Sequence, residues 1–181
     1  MSFEVLNSKL SGVYLIKPAL HTDARGWFFE SYKESEFQKM GLTTQFKQDN
    51  HVRSTEKGIL RGLHYQLPPH AQGKLVRCIQ GKILDVAVDI RKNSKTYGQW
   101  DSFELSEENH HMVWIPEGFA HGYLTLTQNS EVLYKVTSEY HPQSERTILW
   151  NDPEIGVHWG IQNPILNEKD LRGVLLKDRM D

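Results

Sequence analysis

The chain has 181 residues, enough for one domain with a full-sized core. Its 38% hydrophobic and 24% charged content is that of a globular chain, which excludes a disordered segment. A formal net charge of −2 argues against a general nucleic-acid surface, and no apolar run reaches membrane-spanning length, so neither nucleic acid nor a membrane is an expected partner.

A single cysteine, Cys78, excludes an internal disulfide and a cysteine-based zinc cluster. The first residues lack the apolar stretch of a secretion signal, so the expected location is the cytoplasm. In chain order, strand-like runs appear at Val13–Ile16 and Trp27–Tyr32. The one segment with helical character is Glu34–Met40, stopped by Gly41. Further strands are predicted at Lys74–Gln80, Ile83–Ile90, Trp100–Leu105, His111–Ile115, His121–Thr127 and Glu131–Glu139. In Ile83–Ile90 the residues Leu84, Val86, Val88 and Ile90 share one face, and Asp85, Ala87 and Asp89 the other. The tail from Gly160 is irregular and is expected to pack over the body as loops or a short helix. Many short strands broken by turns predict a single all-β domain over residues 1–181, an antiparallel sandwich or barrel with short flanking helices.

Gly58–Leu75 concentrates the chemistry. Arg61, His64 and Lys74 lie in one apolar stretch, where a base, a guanidinium and an ammonium are costly to bury unless they face a ligand. Arg61 and His64 have opposite parity in a regular strand, so a bulge or bend at Gly62 is predicted to let both face one pocket. Further on, Ile115-Pro116-Glu117-Gly118-Phe119-Ala120-His121-Gly122 resembles the second motif of the cupins, small jelly-roll barrels with a ligand pocket in the barrel mouth. Most metal-binding cupins place two histidines and a carboxylate in their first motif. Here that motif reads His64-Tyr65-Gln66, with an amide at the second position and no carboxylate close behind, so no metal is expected.

Longer phrases are similar to the dTDP-4-dehydrorhamnose 3,5-epimerase family. They are Asp23 to Glu30, Gln48-Asp49-Asn50, Leu60 to Gln66, Lys74 to Arg77, Asp85 to Arg91, Ile115 to Gly122, Tyr134-Lys135, Trp150 to Pro153 and Glu168-Lys169-Asp170. The resemblance implies a cupin-type jelly roll and a homodimer. It also implies inversion of a dTDP-linked 4-keto-6-deoxyhexose at carbons 3 and 5 within dTDP-L-rhamnose synthesis. The ketone acidifies both C–H bonds, so the reaction calls for a base, a proton donor on the opposite ring face and a cation near the ketone oxygen, and no cofactor is expected. By resemblance His64 is the base, Asp170 its partner, Tyr134 the acid and Lys74 the cation. Arg25, Arg61 and Lys169 are the implied diphosphate ligands, and Phe28 a stacking surface. Glu30, Gln48, Asp49, Asn50, His121 and Glu145 are implied polar contacts. Two departures stand out: Thr147 where a small residue is expected, and a tail without a proline soon after Lys169-Asp170. Competing readings are an epimerase acting at one carbon or on a related dTDP-4-ketosugar, a silent sugar-nucleotide-binding cupin, and a metal-dependent cupin oxygenase or isomerase.

Overall fold

The computed structural model describes residues 2–42 and 45–181. The chain runs as β1 (Phe3–Asn7), β2 (Tyr14–Pro18), β3 (His21–Asp23), β4 (Gly26–Phe28), α1 (Glu34–Lys39), β5 (Gln48–Ser54) and β6 (Leu60–Gln66). It continues as β7 (Lys74–Gln80), β8 (Lys82–Asp89), β9 (Trp100–Ser106), β10 (Met112–Ile115), β11 (Phe119–Thr125), β12 (Ser130–Val136), β13 (Glu145–Thr147) and α2 (Glu168–Leu171). One sheet has the order β1-β2-β10-β7-β12-β5, the other β13-β6-β11-β8-β9, and β3-β4 stands apart as a hairpin. The named strand pairs are antiparallel, giving the all-β jelly-roll class expected. Among the described residues, no helix is long and apolar enough to cross a membrane.

The two sheets meet along Val76, Cys78, Ile83, Ala87, Phe103, Val113, Phe119 and Val132. Burial pushes the Cys78 thiol up to about 12, which leaves it inert inside this layer. The outer face of the five-stranded sheet is covered as well: Leu60, Val86, Val88 and Leu124 pack under Ile148, Ile155, Trp159 and Leu176. Both faces of β8 are therefore buried, and its acidic face, Asp85 and Asp89, is the inward one, fully hidden from solvent. Asp89 is satisfied by Arg91 Nη2 at 2.7 Å, Ser94 Oγ at 2.6 Å and Thr96 Oγ1 at 2.6 Å. Burial works against its charge, but these donors prevail and hold the carboxyl at about 2.

The tail docks as a strap despite lacking the expected proline. Val174 N donates to Thr147 O at 3.0 Å, and Leu176 N to Asp152 Oδ2 at 2.6 Å. Further along, Tyr65 Oη donates to Asp181 Oδ1 at 2.9 Å. Several strand boundaries differ from expectation; β11, for one, runs Phe119–Thr125 rather than His121–Thr127. The Trp27–Tyr32 run pairs only as far as Phe28, because its partner β3 offers three residues; Phe29 instead turns inward beneath the Arg77 guanidinium. Glu131–Glu139 is strand only to Val136.

The irregularity at Gly62 is present. His121 faces His64 and Tyr123 faces Arg61, so Gly62 and Leu63 together oppose Gly122 alone. Gly62 has a φ of 139°, and a Cβ there would come within 2.5 Å of Gly122 Cα. Gly62→Ala is therefore expected to lower stability by about 2–4 kcal/mol in urea titrations. A loss below about 0.5 kcal/mol would show that the backbones are not locked together there.

Candidate active site

The bulge puts Arg61, His64 and Gln66 on the inner face of β6, where the space between the sheets opens into a cavity of about 330 Å³. His64 reaches across to α2: its Nε2 lies 2.5 Å from Asp170 Oδ1. The Asp170 carboxylate is 1% exposed and the imidazole 23%, so the histidine keeps access to the cavity while its partner is sealed. The Asp170 backbone is fixed by its own N-cap, as Asn167 Oδ1 accepts Asp170 N at 2.7 Å. A carboxylate on one ring nitrogen orients the imidazole and stabilises its protonated form.

Directly opposite His64 in the ladder stands His121 on β11, paired through Nε2 with Asp85 Oδ2 at 2.8 Å. Burial lowers the affinity of His121 for a proton, and Lys74 and His64 add to this, while Asp85 pulls the other way. Lys74 enters from β7 in the facing sheet, and its Nζ donates to His64 O at 3.3 Å. Burial drags its ammonium down to about 8, against the opposing pull of Asp85 and Glu145. At neutral pH it is still mostly charged.

Tyr134 projects from β12 in that same facing sheet into the cavity. Burial holds its phenol above the ordinary range; Glu145 adds to this, while Arg61 opposes it. The phenol is thus a proton donor at neutral pH. Gln48 and Asn50 of β5 line the cavity too, joined by a 2.7 Å hydrogen bond. At the mouth, Lys169 Nζ donates to Glu145 Oε1 at 2.8 Å. Burial opposes ionisation of Glu145, but Lys169 and Tyr140 hold its carboxyl low.

The structure thus brings together His64, Asp170, Tyr134, Lys74, Arg61, Gln48, Asn50, His121, Glu145 and Lys169. It does not bring in four others. Asp49 sits between Gln48 and Asn50, so strand alternation turns it to the outer face, where Lys135 Nζ meets it at 2.9 Å. Arg25 is paired with Asp23 at 2.6 Å, and its side chain is 90% exposed on the β3–β4 hairpin. Phe28 lies on that hairpin against His21, and Glu30 is paired with Lys33 at 3.1 Å. Sequence reasoning missed Tyr140, whose Oη donates to Glu145 Oε2 at 3.0 Å, and the partnership of Asp85 with His121. The first left no signal, since Tyr140 lies in a loop. The second left one, an acidic face on an otherwise apolar strand.

Neither histidine Nε2 is free, and among the described residues no group of three or more His, Cys, Asp or Glu side chains is placed to hold a metal ion. The arrangement is suited to proton transfer. It has an oriented imidazole on one wall, a protonated phenol on the other and a buried cation beside the histidine backbone.

A protein-family model described as dTDP-4-dehydrorhamnose 3,5-epimerase matches residues 7–178. The dTDP-4-dehydrorhamnose 3,5-epimerase of Salmonella typhimurium is 50% identical over 174 residues, which cover 95% of this chain and 94% of that one. The enzyme of the same name from Shigella flexneri is 49% identical over 170 residues, 93% of each chain. Among solved structures, the Legionella pneumophila dTDP-6-deoxy-D-glucose-3,5-epimerase in complex with dTDP-4-keto-L-rhamnose superposes with a TM-score of 0.93. It is 41% identical, and the match covers 99% of this chain and 95% of that one.

The buried ammonium has a consequence for stability. Between about 8 and the ordinary lysine value of 10.5, the unfolded chain binds the proton that folded Lys74 has released. This group therefore destabilises the fold below pH 8, and the penalty is relieved as pH rises through that window. Lys74→Met is expected to be more stable than the parent at pH 7, by up to about 3 kcal/mol. The gap should close by pH 10.5 in paired urea titrations, and a gap independent of pH would contradict the burial argument.

Proposed function

The chain belongs to the dTDP-4-dehydrorhamnose 3,5-epimerase family, and from that premise we propose that it epimerises dTDP-4-dehydro-6-deoxy-D-glucose at carbons 3 and 5 to dTDP-4-dehydro-L-rhamnose, using its own side chains as base and acid. One observation carries the reading: His64 and Tyr134 enter a single cavity from opposing sheets. A hexose between them has one ring face toward the imidazole and the other toward the phenol.

In the proposed steps, His64 takes the proton from a carbon next to the ketone, and the electron pair moves to the ketone oxygen as an enolate. Lys74 faces that developing charge, and Asp170 stabilises the imidazolium. Tyr134 then delivers its proton to the opposite face of the same carbon, which inverts the centre. Exchange of both groups with solvent resets them for the second carbon. Arg61 and Lys169 supply positive charge for the diphosphate, Gln48 and Asn50 are polar contacts, and His121, held neutral, is a sugar contact.

Arg25, Phe28 and Glu30 fit this reading only if a second copy is present. Trp27 and Phe28 are 56% and 64% exposed, an unusual display of aromatic surface on a short hairpin. We assign this hairpin to a homodimer contact in which Arg25 and Phe28 serve the partner's cavity. A cytoplasmic location belongs to the same proposal, and cell fractionation checks it.

Incubation with the substrate in deuterated water tests the chemistry. Deuterium is expected at both carbon 3 and carbon 5; label at one carbon would mark a single-site epimerase, and none a binding protein. His64→Ala should abolish exchange with the fold retained, a loss on the order of 10²–10⁴-fold or more. Tyr134→Phe should impair inversion more than the first proton removal. In the parent, kcat/KM is expected to fall as pH rises through about 8, where Lys74 loses its charge. Lys74→Arg should lack that basic limb, because a guanidinium stays charged. For the dimer, mixing inactive His64→Ala with inactive Arg25→Ala should regenerate activity by forming one intact site per mixed pair. Failure of the mixture to gain activity would place Arg25 outside the partner's site.

A further inference from the structure

Gln66 stands where metal-binding cupins carry a histidine, yet its amide is turned away from that task. Its Nε2 donates to His70 O at 2.6 Å and to Glu139 O at 3.2 Å, and its Oε1 accepts from His141 N at 2.8 Å. Both amide protons and the carbonyl oxygen are therefore engaged by backbone, and the residue is 6% exposed. The last two partners flank Tyr140 on either side. The Gln66 backbone is meanwhile paired in register with Glu145 on β13. One residue thus sets both ends of the Tyr140–Glu145 hydrogen bond at the cavity mouth, where Lys169 also binds Glu145. The loop is braced further by the His70 and His141 rings, stacked at 3.8 Å and 6°, and by Gln48 Oε1 accepting Tyr140 N at 2.9 Å.

We propose that Gln66 is a positioning residue for the cavity mouth, holding Tyr140 against Glu145 so that this rim grips the nucleoside diphosphate end of the substrate. The proposal rests on the function given above. The reacting groups His64, Lys74 and Tyr134 lie elsewhere in the cavity and receive no side-chain hydrogen bond from Gln66. Its loss should therefore weaken binding and leave turnover at saturation almost intact.

Gln66→Met keeps the length and volume of the side chain and removes all three hydrogen bonds. In calorimetric titrations with dTDP, and in steady-state kinetics, Kd and KM are expected to rise about tenfold while kcat changes less than about twofold. Tyr140→Ala should weaken dTDP binding by a similar factor. The double variant should be no worse than Tyr140→Ala alone, because Gln66 acts through that ring. Tyr140→Phe removes only the hydroxyl held by Glu145 and gives a second reading if Gln66→Met does not fold; its Kd should rise too. Additive effects, a fall in kcat at constant KM, or an unchanged Kd in Tyr140→Phe would overturn the assignment. If the parent protein bound no dTDP at all, the proposed function itself would fall, and this inference with it.

Discussion

His64 and Tyr134 can hold opposite faces of one ring because they stand on different sheets whose inner faces meet. Neither sheet alone could do this, since residues sharing a face of one sheet approach a ligand from the same side. The glycine pair Gly62 and Gly122 makes the arrangement possible by letting two residues of β6 oppose one of β11. Without that extra residue, Arg61 and His64 would point to opposite faces, and the guanidinium and the imidazole would no longer share one cavity. The function proposed here is thus anchored in the absence of two side chains.

The interior around that bulge is unusually polar for a jelly-roll core. Asp85, His121, Lys74 and Asp170 are all buried, in a region that elsewhere is Val, Ile and Phe. Burial of polar groups is costly unless they are partnered, and here they are: Asp170 with His64, Asp85 with His121, and Lys74 within the field of Asp85 and Glu145. The pairing is incomplete for Lys74, whose depressed proton affinity records the residual strain. A cation held this way responds strongly to new negative charge nearby, which is the property an enolate-stabilising group needs. Stability and chemistry pull in opposite directions at this residue.

The fold class was legible in the chain because short alternating runs and turn residues admit few other solutions. The bulge was legible too, from the parity conflict between Arg61 and His64 with a glycine between them. Other features were not. The orientation of β8 could not be read, because both its faces are covered and the acidic one is inward. β5, with the sequence QDNHVRS, has too little apolar alternation to be seen as a strand. Asp49 was grouped with its neighbours because a phrase carries no face, whereas a strand does. The His64–Asp170 pairing spans 106 positions and comes from the strap folding back over β6, so only resemblance could suggest it. Arg25, Phe28 and Glu30 match the family phrase but sit apart from the cavity of their own chain, a separation that one chain's sequence does not encode.

A crystal structure with a dTDP-linked hexose bound tests the central claim most directly. The hexose ring is expected between the His64 imidazole and the Tyr134 phenol, one on each face, with the oxygen at carbon 4 toward Lys74. A ring with both groups on one face, or one lodged outside the space between the two sheets, would contradict the account.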